Sequence, residues 1–209
     1  NDRYQLQSNI DYAADQAYLT FLEAGFPKAN VRYLGPDPDR DIDGNGSDDD
    51  IAATATISNV RHAIQDWPRE QGLGLGIPFY VYLMDHGHYD LFLADGDAGR
   101  VTAPLLDLWL SNLEATTGAD QITVVIDACK SGSFIDVTGV GPDEISGASR
   151  VVVASTTSQA NAYPSQRGAL FSDAFWTALG DNQDVWSAYR TAKAAVDARG
   201  LMQTPWLDD

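Results

Sequence analysis

Residues 122–134 read ITVVIDACKSGSF, and this stretch decides the fold. Its first five residues, 122–126, are mostly apolar and β-branched, which is typical of a strand buried on both faces of a parallel sheet. The run ends at Asp127, and Cys129, the only cysteine of the chain, opens a turn of small residues. Ligands of open α/β sheets bind just beyond the carboxyl ends of the strands. The thiol therefore lies where such sheets bind their ligands.

A second apolar run has the same design. Residues 79–84 (FYVYLM) are followed directly by the segment DHGH at 85–88. If the two runs form neighbouring parallel strands, His86 and Cys129 meet at one edge of the sheet. A thiol beside an imidazole is a nucleophile with its base. A lone Cys is more often a small buried hydrophobic residue, but the matching positions on two similar strands favour the catalytic interpretation.

Both motifs resemble those of the legumain family, which belongs to the caspase-like clan of cysteine peptidases. The segments DHG at 85–87 and DACKSGS at 127–133 are similar to the family's His-Gly and acidic-Ala-Cys-x-Ser-Gly-Ser motifs. Caspases place their His about 50 residues before a Gln-Ala-Cys, and the interval here is similar, with Asp replacing Gln. The resemblance runs from about residue 9 to residue 175. It implies a single peptidase domain, 1–209, built as a caspase-like three-layer α/β/α sandwich with a mostly parallel sheet.

The resemblance also implies a mechanism. Cys129 attacks the scissile carbonyl, and His86 moves the proton, as a base toward the thiol or as an acid toward the leaving amine. The backbone N–H groups of Gly87 and Cys129 form the oxyanion hole. His88 is a competing candidate for the base, but the family motif selects His86.

Four further residues are expected at the substrate pocket by the same resemblance: Asp127, Ser155, Thr156 and Asp173. Two carboxylates in a pocket favour Arg or Lys at P1. Legumains instead take Asn, with acidic groups balanced by an Arg near the first helix, for which Arg3 is the only candidate here. The alternative for Asp127 is a carboxylate that accepts backbone N–H groups at a strand end, and for Asp173 it is a helix N-cap.

Strand and helix patterns alternate along the chain, which predicts a parallel sheet with helices on both faces. We expect helices at 11–24, within 52–67, at 103–117, at 170–179 and at 185–198, and strands at 30–34, 79–84, 122–126 and 150–154. Thr56 or Ser58 is expected to cap the second helix and Thr102 the third, which ends before Gly118. Pro68 is expected to end the second helix. The caspase-like fold also has a first strand, before the first helix and between the second and third strands, and this sequence lacks it. We therefore expect an upstream segment, joined to the chain or cut from it and still bound, to supply that strand.

The segment DRDIDGNGSDDD at 39–50 has the spacing of a calcium loop. The oxygen ligands would come from Asp39, Asp41, Asp43, Asn45, Ser47 and Asp50, with Gly44 at the turn. The twelfth position carries Asp instead of the usual Glu, as in the dockerin-type loops that the segment resembles. The alternative is a solvated acidic loop. We favour a structural Ca²⁺ because carboxylates packed this densely repel one another without a cation, and no motif predicts an organic cofactor.

Composition limits the partners. The chain has 209 residues, 44% of them hydrophobic, and a net charge of −17. Such a charge argues against nucleic acid and against anionic membrane surfaces, and no apolar run is long enough to span a bilayer. The charge fits a secreted protein, a salt-adapted one, a calcium binder or an enzyme for basic substrates. A single thiol does not fix the compartment, and we expect a secreted or extracytoplasmic location. We expect peptide or protein substrates.

Three functions remain open on sequence grounds. The first is an endopeptidase that uses a Cys-His dyad, and self-cleavage upstream would explain the absent strand. The second is an inactive, calcium-stabilised binding module on a peptidase fold. The third is a transpeptidase or ligase on the same dyad, because hydrolysis and transfer pass through the same thioester.

Overall fold

A computed structural model of the chain describes residues 5–94, 99–135 and 144–209. Its central sheet has four strands. Three of them are parallel neighbours, in the order β3 (Phe79–Met84), β7 (Ile122–Asp127) and β8 (Arg150–Ala154). The expected parallel sheet is thereby confirmed. β9 (Trp206–Asp208) pairs antiparallel with β8.

Helices cover both faces of this sheet, as the predicted three-layer sandwich requires. One face packs against α4 (Ala103–Thr117) and a helical segment at 57–70. The other face packs against α1 (Gln7–Glu23), α5 (Leu170–Gly180) and α6 (Val185–Asp197). No described helix is both long enough and apolar enough to cross a membrane.

An aromatic cluster fixes α1 and α5 to the sheet. The indole of Trp176 is 2% exposed, and its ring centroid lies 4.9 Å from Tyr82, 5.4 Å from Phe21 and 5.2 Å from Phe175. Edge-to-face pairs of this kind add about 0.5–1.5 kcal/mol each beyond the area they bury. The cluster therefore holds the first helix against β3, the strand that leads to His86.

Local signals account for most helix ends. The Thr102 hydroxyl accepts the N–H of Leu105 at the start of α4, and Gly118 ends that helix in the left-handed conformation with φ +72. Gly25 follows α1 with φ +91. Glycine is favoured at both positions because a Cβ would be strained there.

The second helix starts at Ile57, and the Thr56 side chain accepts the N–H of Asn59, which confirms one of its two expected caps. Residues 52–53 belong to a strand, β2 (Ile51–Ala53). The prediction that Pro68 ends this helix was wrong. The chain runs as α2 (Ile57–Arg61), a π-helical stretch (His62–Asp66) and α3 (Trp67–Glu70). The wider π-turn accommodates the missing N–H of proline, which would break a regular helix.

The strand expected at 30–34 is shorter than predicted. Lys28–Asn30 form a 3₁₀ turn, and only β1 (Tyr33–Leu34) is extended. β1 pairs in parallel with β2, apart from the central sheet. Among the described residues, β3 therefore ends the central sheet, and no strand stands between β1 and β3. Arg3 lies outside the described residues.

A small three-stranded sheet follows the His-containing strand. β4 (Gly87–His88), β5 (Leu91–Ala94) and β6 (Gly99–Thr102) are antiparallel neighbours. This sheet continues directly into α4.

Candidate active site

The register of β3 and β7 brings the two motif segments together. Met84 lies opposite Asp127 in this parallel pair. His86 and Cys129 each follow two residues beyond that last pair, at the carboxyl edge of the sheet. This is the edge at which open α/β sheets bind ligands. Strand register alone therefore places the imidazole-bearing loop beside the thiol-bearing turn.

Gly87 packs directly on the thiol-bearing turn. A Cβ placed on Gly87 would lie 2.7 Å from the carbonyl oxygen of Cys129 and 3.0 Å from Cβ of Ala128. Real Cβ atoms do not approach a carbonyl that closely, so any side chain at 87 would push the two segments apart. Glycine at 87 is therefore required by the contact with the carbonyl group of Cys129.

The Cys129 thiol is half-buried. Its Sγ lies 3.8 Å from the carbonyl oxygen of Ala162, to which the S–H donates. The next residue, Lys130, donates its N–H to the carbonyl of Ala160 at 2.8 Å. Burial raises the pKa of the Cys129 thiol, and the nearby Asp127 adds to the rise. The free thiol is therefore held mainly in its neutral form, which requires a base to activate it.

Three small residues after the thiol fix the turn. Ser131 accepts the N–H of Thr156 through its hydroxyl at 3.3 Å. A Cβ on Gly132 would lie 2.7 Å from the carbonyl oxygen of Thr156. The Ser133 hydroxyl donates to the Lys130 carbonyl at 2.7 Å and accepts the Asp90 N–H. Ser131 and Gly132 thus both contact Thr156, and Ser133 contacts Asp90 and Lys130. Sequence reasoning missed these roles, although the run of small residues after a strand was a signal.

Two backbone N–H groups are available as oxyanion donors. Leu93 donates its N–H to the carbonyl of His86, which makes the next pair, Gly87 with Phe92, a non-hydrogen-bonded one. The N–H of Gly87 therefore points away from β5. The N–H of Cys129 has no hydrogen-bond partner within the described ranges. Donors held free beside a nucleophile are what an oxyanion hole needs.

Comparison with protein families agrees with this geometry. The sequence model of the peptidase C13 family matches residues 78–204, which is more than half of the chain. The chain belongs to the peptidase C13 family. This is the legumain family of caspase-like cysteine peptidases, so the chain is a cysteine-type peptidase that acts on peptide or protein substrates. The matched segment begins just before β3 and includes both motifs. A search of curated proteins finds no match.

Asp127 is 1% exposed in this C13 peptidase. Its Oδ2 accepts the hydroxyl of Ser172 at 2.6 Å and the N–H of Ser172 at 3.3 Å, and Ser155 also hydrogen-bonds to the carboxyl group. Tyr82 extends the network, with its hydroxyl 2.6 Å from Oγ of Ser172. Burial raises the pKa of Asp127, although these hydrogen bonds oppose the rise. The geometry matches the alternative interpretation, a carboxylate bonded inside the protein at a strand end.

The other expected pocket residues are also bonded within the protein. Asp173 lies in the first turn of α5, and its Oδ1 accepts the N–H of Ala169, the residue before the helix, at 3.2 Å. The side chain thus serves the helix start, although Asp173 is not the N-cap residue itself. Ser155 and Thr156 directly follow β8 and are fully buried. Both residues contact Ser131 in the thiol-bearing turn.

Gln203 was not anticipated. Its side chain is 1% exposed, and it joins the two ends of the loop that follows β8. Nε2 donates to the carbonyl of Ser155, and Oε1 accepts the N–H of Tyr163, each at 3.0 Å. The loop between them contains Ala160 and Ala162, which contact Lys130 and Cys129. Gln203 therefore holds the segment that lies against the thiol.

The acidic loop brings three carboxylates together. Ligand atoms of Asp41, Asp43 and Asp50 all lie within 4.8 Å of one another, and Asp39 is not part of this group. The Asp41 carboxylate accepts the N–H groups of residues 45 and 46, at 3.0 and 2.9 Å. Asp50 is buried and accepts the Tyr18 hydroxyl at 2.7 Å.

A positively charged side chain of the protein already lies among these carboxylates. The Lys28 ammonium contacts Asp43 at 3.0 Å and also pairs with Asp49 and Asp50. Burial would raise the pKa of Asp50, but hydrogen bonds from Lys28 and Tyr18 hold it well below its ordinary value. Lys28 lies outside the loop at 39–50, so the spacing of the expected ligands gave no sign of it. The charge repulsion that favours Ca²⁺ is thus partly relieved by the protein itself.

Proposed function

We propose that this C13 peptidase is an endopeptidase that uses Cys129 as nucleophile and His86 as general acid and base. The observation that carries the proposal is the β3–β7 register, which sets both residues two positions beyond the same strand pair. The thiol, whose pKa burial raises, would lose its proton to His86 as it attacks the carbonyl. The N–H groups of Gly87 and Cys129 would then bind the oxyanion, and His86 would return the proton to the leaving amine.

We further propose that the P1 pocket selects by hydrogen bonding more than by charge. Asp127 is buried and bonded by Ser172 and Ser155, and Asp173 bonds the start of α5. Neither arrangement presents a carboxylate as a free counter-ion for Arg or Lys. These contacts favour Asn over the cationic P1 residues that the sequence alone suggested.

The test is cleavage of matched fluorogenic peptides with Asn, Arg, Lys or Asp at P1, with and without Ca²⁺. Cys129→Ala should abolish cleavage, and His86→Ala should lower kcat by about 10²–10⁴-fold. His88 carries an exposed imidazole on the same hairpin. His88→Ala is therefore the matched control and should keep the activity of the wild type. Equal losses in both His variants would refute the assignment of the base. Preference for Arg or Lys would refute the pocket described above.

A transpeptidase is the second candidate, because the same thioester serves both reactions. Adding an amine-bearing peptide to the cleavage reaction distinguishes the two by mass spectrometry. Ligated product in excess of hydrolysed product would favour transfer. An inactive binding module is favoured only if Cys129 fails to react with any peptide substrate or peptide-based alkylating reagent.

We also propose a structural Ca²⁺ in the acidic loop, held by Asp41, Asp43 and Asp50. The support is their convergence and the 12-residue spacing. The ion would have to displace the Lys28 ammonium. Autoprocessing and secretion are proposals as well, and the acidic composition supports the second.

A further inference from the structure

Two apolar side chains, Leu201 and Met202, lie exposed at the carboxyl edge of the central sheet. Leu201 is 42% exposed, and Met202 is 83% exposed, the largest fraction among the large apolar side chains that the structure describes. The pair precedes Gln203, whose Nε2 donates to the carbonyl of Ser155, the residue after β8. Single exposed apolar residues are common on proteins, so what distinguishes the Leu201–Met202 pair is its position.

The pair is connected to the proposed nucleophile by a short path of contacts. The S–H of Cys129 donates to the carbonyl of Ala162, with Sγ 3.8 Å from the oxygen. The next residue, Tyr163, donates its N–H to Oε1 of Gln203 at 3.0 Å. Met202 is the neighbour of Gln203 in the chain. Two hydrogen bonds and two steps along the backbone therefore connect the exposed Met202 to the thiol.

The proposed mechanism fixes the direction in which a substrate crosses the sheet. His86 follows β3 and returns a proton to the leaving amine, so the residues after the scissile bond lie toward β3. The strand order is β3-β7-β8-β9, so the residues before the scissile bond extend from Cys129 over β8 and β9. The Leu201–Met202 pair, which lies between α6 and β9, is on this side.

Strand spacing indicates which substrate residue reaches the pair. Neighbouring strands lie about 4.8 Å apart, so β9, the second strand beyond β7, is about 10 Å from the thiol-bearing strand. An extended peptide rises about 3.3 Å per residue and covers this distance in about three residues. With P1 at the thiol, the residue that lies above the start of β9 is therefore P4.

We propose that Leu201 and Met202 form a subsite for an apolar P4 side chain of the substrate. The flexible, polarisable side chain of methionine adapts to ligands of different shape, so Leu, Ile, Met and Phe should all be accepted. An acidic P4 residue should be rejected, because the pair offers no positive charge and the chain carries a net charge of −17. The proposal rests on the Cys129–His86 assignment, which gives the substrate its direction.

The first test is cleavage of the aminomethylcoumarin amides of Ac-X-Ala-Ala-Asn, with Leu, Ala or Asp as X, and of the same series with Arg at P1. Leu should exceed Ala about tenfold in kcat/KM. Met202→Lys should reduce this ratio and raise the Asp-to-Ala ratio about threefold, as an exposed ion pair allows, and added salt should cancel the gain. Leu108→Lys, at an apolar residue of α4 that is 53% exposed, is the matched control and should leave both ratios unchanged.

A second test observes binding apart from catalysis. Met84 and Met202 are the two methionines of the chain, so ¹³C-methyl labelling of the Cys129→Ala variant gives two NMR signals, which Met202→Lys assigns. The peptide Ac-Leu-Ala-Ala-Asn-NH₂ should shift the Met202 signal, and its counterpart with Ala at P4 should shift that signal much less.

The two tests separate failure of the subsite from failure of the dyad. A Met202 signal that responds to neither peptide, or equal P4 ratios in wild type and Met202→Lys, would overturn the subsite. Broadening of this signal with rising protein concentration and no peptide would show that a second copy covers the pair, and would also overturn it. Loss of cleavage together with a Leu-dependent shift would refute the dyad and support the subsite.

Discussion

The N–H of Asp90 donates a hydrogen bond of 2.8 Å to Oγ of Ser133. This bond ties the hairpin that follows His86 to the turn that follows Cys129. Because the Ser133 hydroxyl also donates to the Lys130 carbonyl at 2.7 Å, one side chain connects both halves of the proposed dyad. The relative position of imidazole and thiol therefore depends in part on Ser133.

Ser133→Ala should lower kcat/KM about tenfold while the protein remains folded. The Asp90 N–H loses this acceptor, at a cost of about 1–3 kcal/mol, and the two loops lose a fixed spacing. Ser8→Ala, an exposed serine on α1, is the control. Peptide cleavage and thermal unfolding measured together check the prediction. Unchanged kcat/KM with a lowered melting temperature would mean that the bond serves stability alone.

Gly87→Ala should lower activity much more than a glycine-to-alanine change at a position with open space. The new Cβ would stand 2.7 Å from the Cys129 carbonyl oxygen, so the turn must shift. A displacement on the order of 1 Å can lower turnover about 100-fold. Gly74→Ala, whose Cβ would meet its nearest neighbour at 3.6 Å, is the control. Activity of Gly87→Ala within threefold of wild type would show that the turn adapts.

Alkylation of Cys129 by iodoacetamide should be slow at pH 7 and should rise with pH. Burial raises the pKa of the thiol, so the thiolate fraction stays small until the pH exceeds the ordinary value of about 8.5. A peptide chloromethyl ketone with the preferred P1 residue should react much faster at pH 7, because binding aligns His86 with the thiol. Fast iodoacetamide labelling at pH 6 would instead indicate a preformed thiolate–imidazolium pair.

Ca²⁺ should raise the melting temperature, and Lys28→Met should tighten Ca²⁺ binding. In the absence of the ion, the Lys28 ammonium holds Asp43, Asp49 and Asp50 together, so the variant should be less stable without Ca²⁺ and regain stability with it. Asp48→Asn, outside the converging carboxylates, is the control. Calorimetric titration gives the affinity. Absence of any calcium effect in both wild type and Lys28→Met would leave Lys28 as the cation of the loop.

Gln203→Met should raise KM more than it lowers kcat. The change keeps the volume of the side chain and removes its bonds to Ser155 and Tyr163. The loop that lies against Cys129 is then free at both ends, while the dyad itself is untouched. Gln121→Met, on an exposed side chain, is the control. A fall in kcat with constant KM would place the effect on the thiol instead of on the loop.

The sequence predicted the main sheet and the placement of His86 and Cys129 because buried parallel strands have a distinctive composition. Residues 79–84 and 122–126 have the composition of buried strands. Their parallel pairing places the residues that follow them at one edge of the sheet. Thr102 and Gly118 marked a helix for similarly local reasons. These signals lie within a few residues of the structure that they specify.

The parts that could not be predicted depend on distant contacts. Asp127 precedes the thiol by two residues, yet its burial depends on Ser172, 45 residues away. Lys28 enters the acidic loop from a turn that no calcium pattern includes. β9 has only three residues, two of them apolar, and is a strand because β8 offers it an edge. Pro68 stays helical because the preceding turn widens.

The indole of Trp176 packs between Phe21, Tyr82 and Phe175. Its fluorescence therefore depends on the positions of these three side chains. Tyr82 lies on β3, so movement of this strand alters the surroundings of this one fluorophore. The difference spectrum between wild type and Trp176→Phe isolates its emission from that of the other four tryptophans. The chain thus carries its own fluorescent reporter of movement in β3, readable at micromolar concentration and without any label.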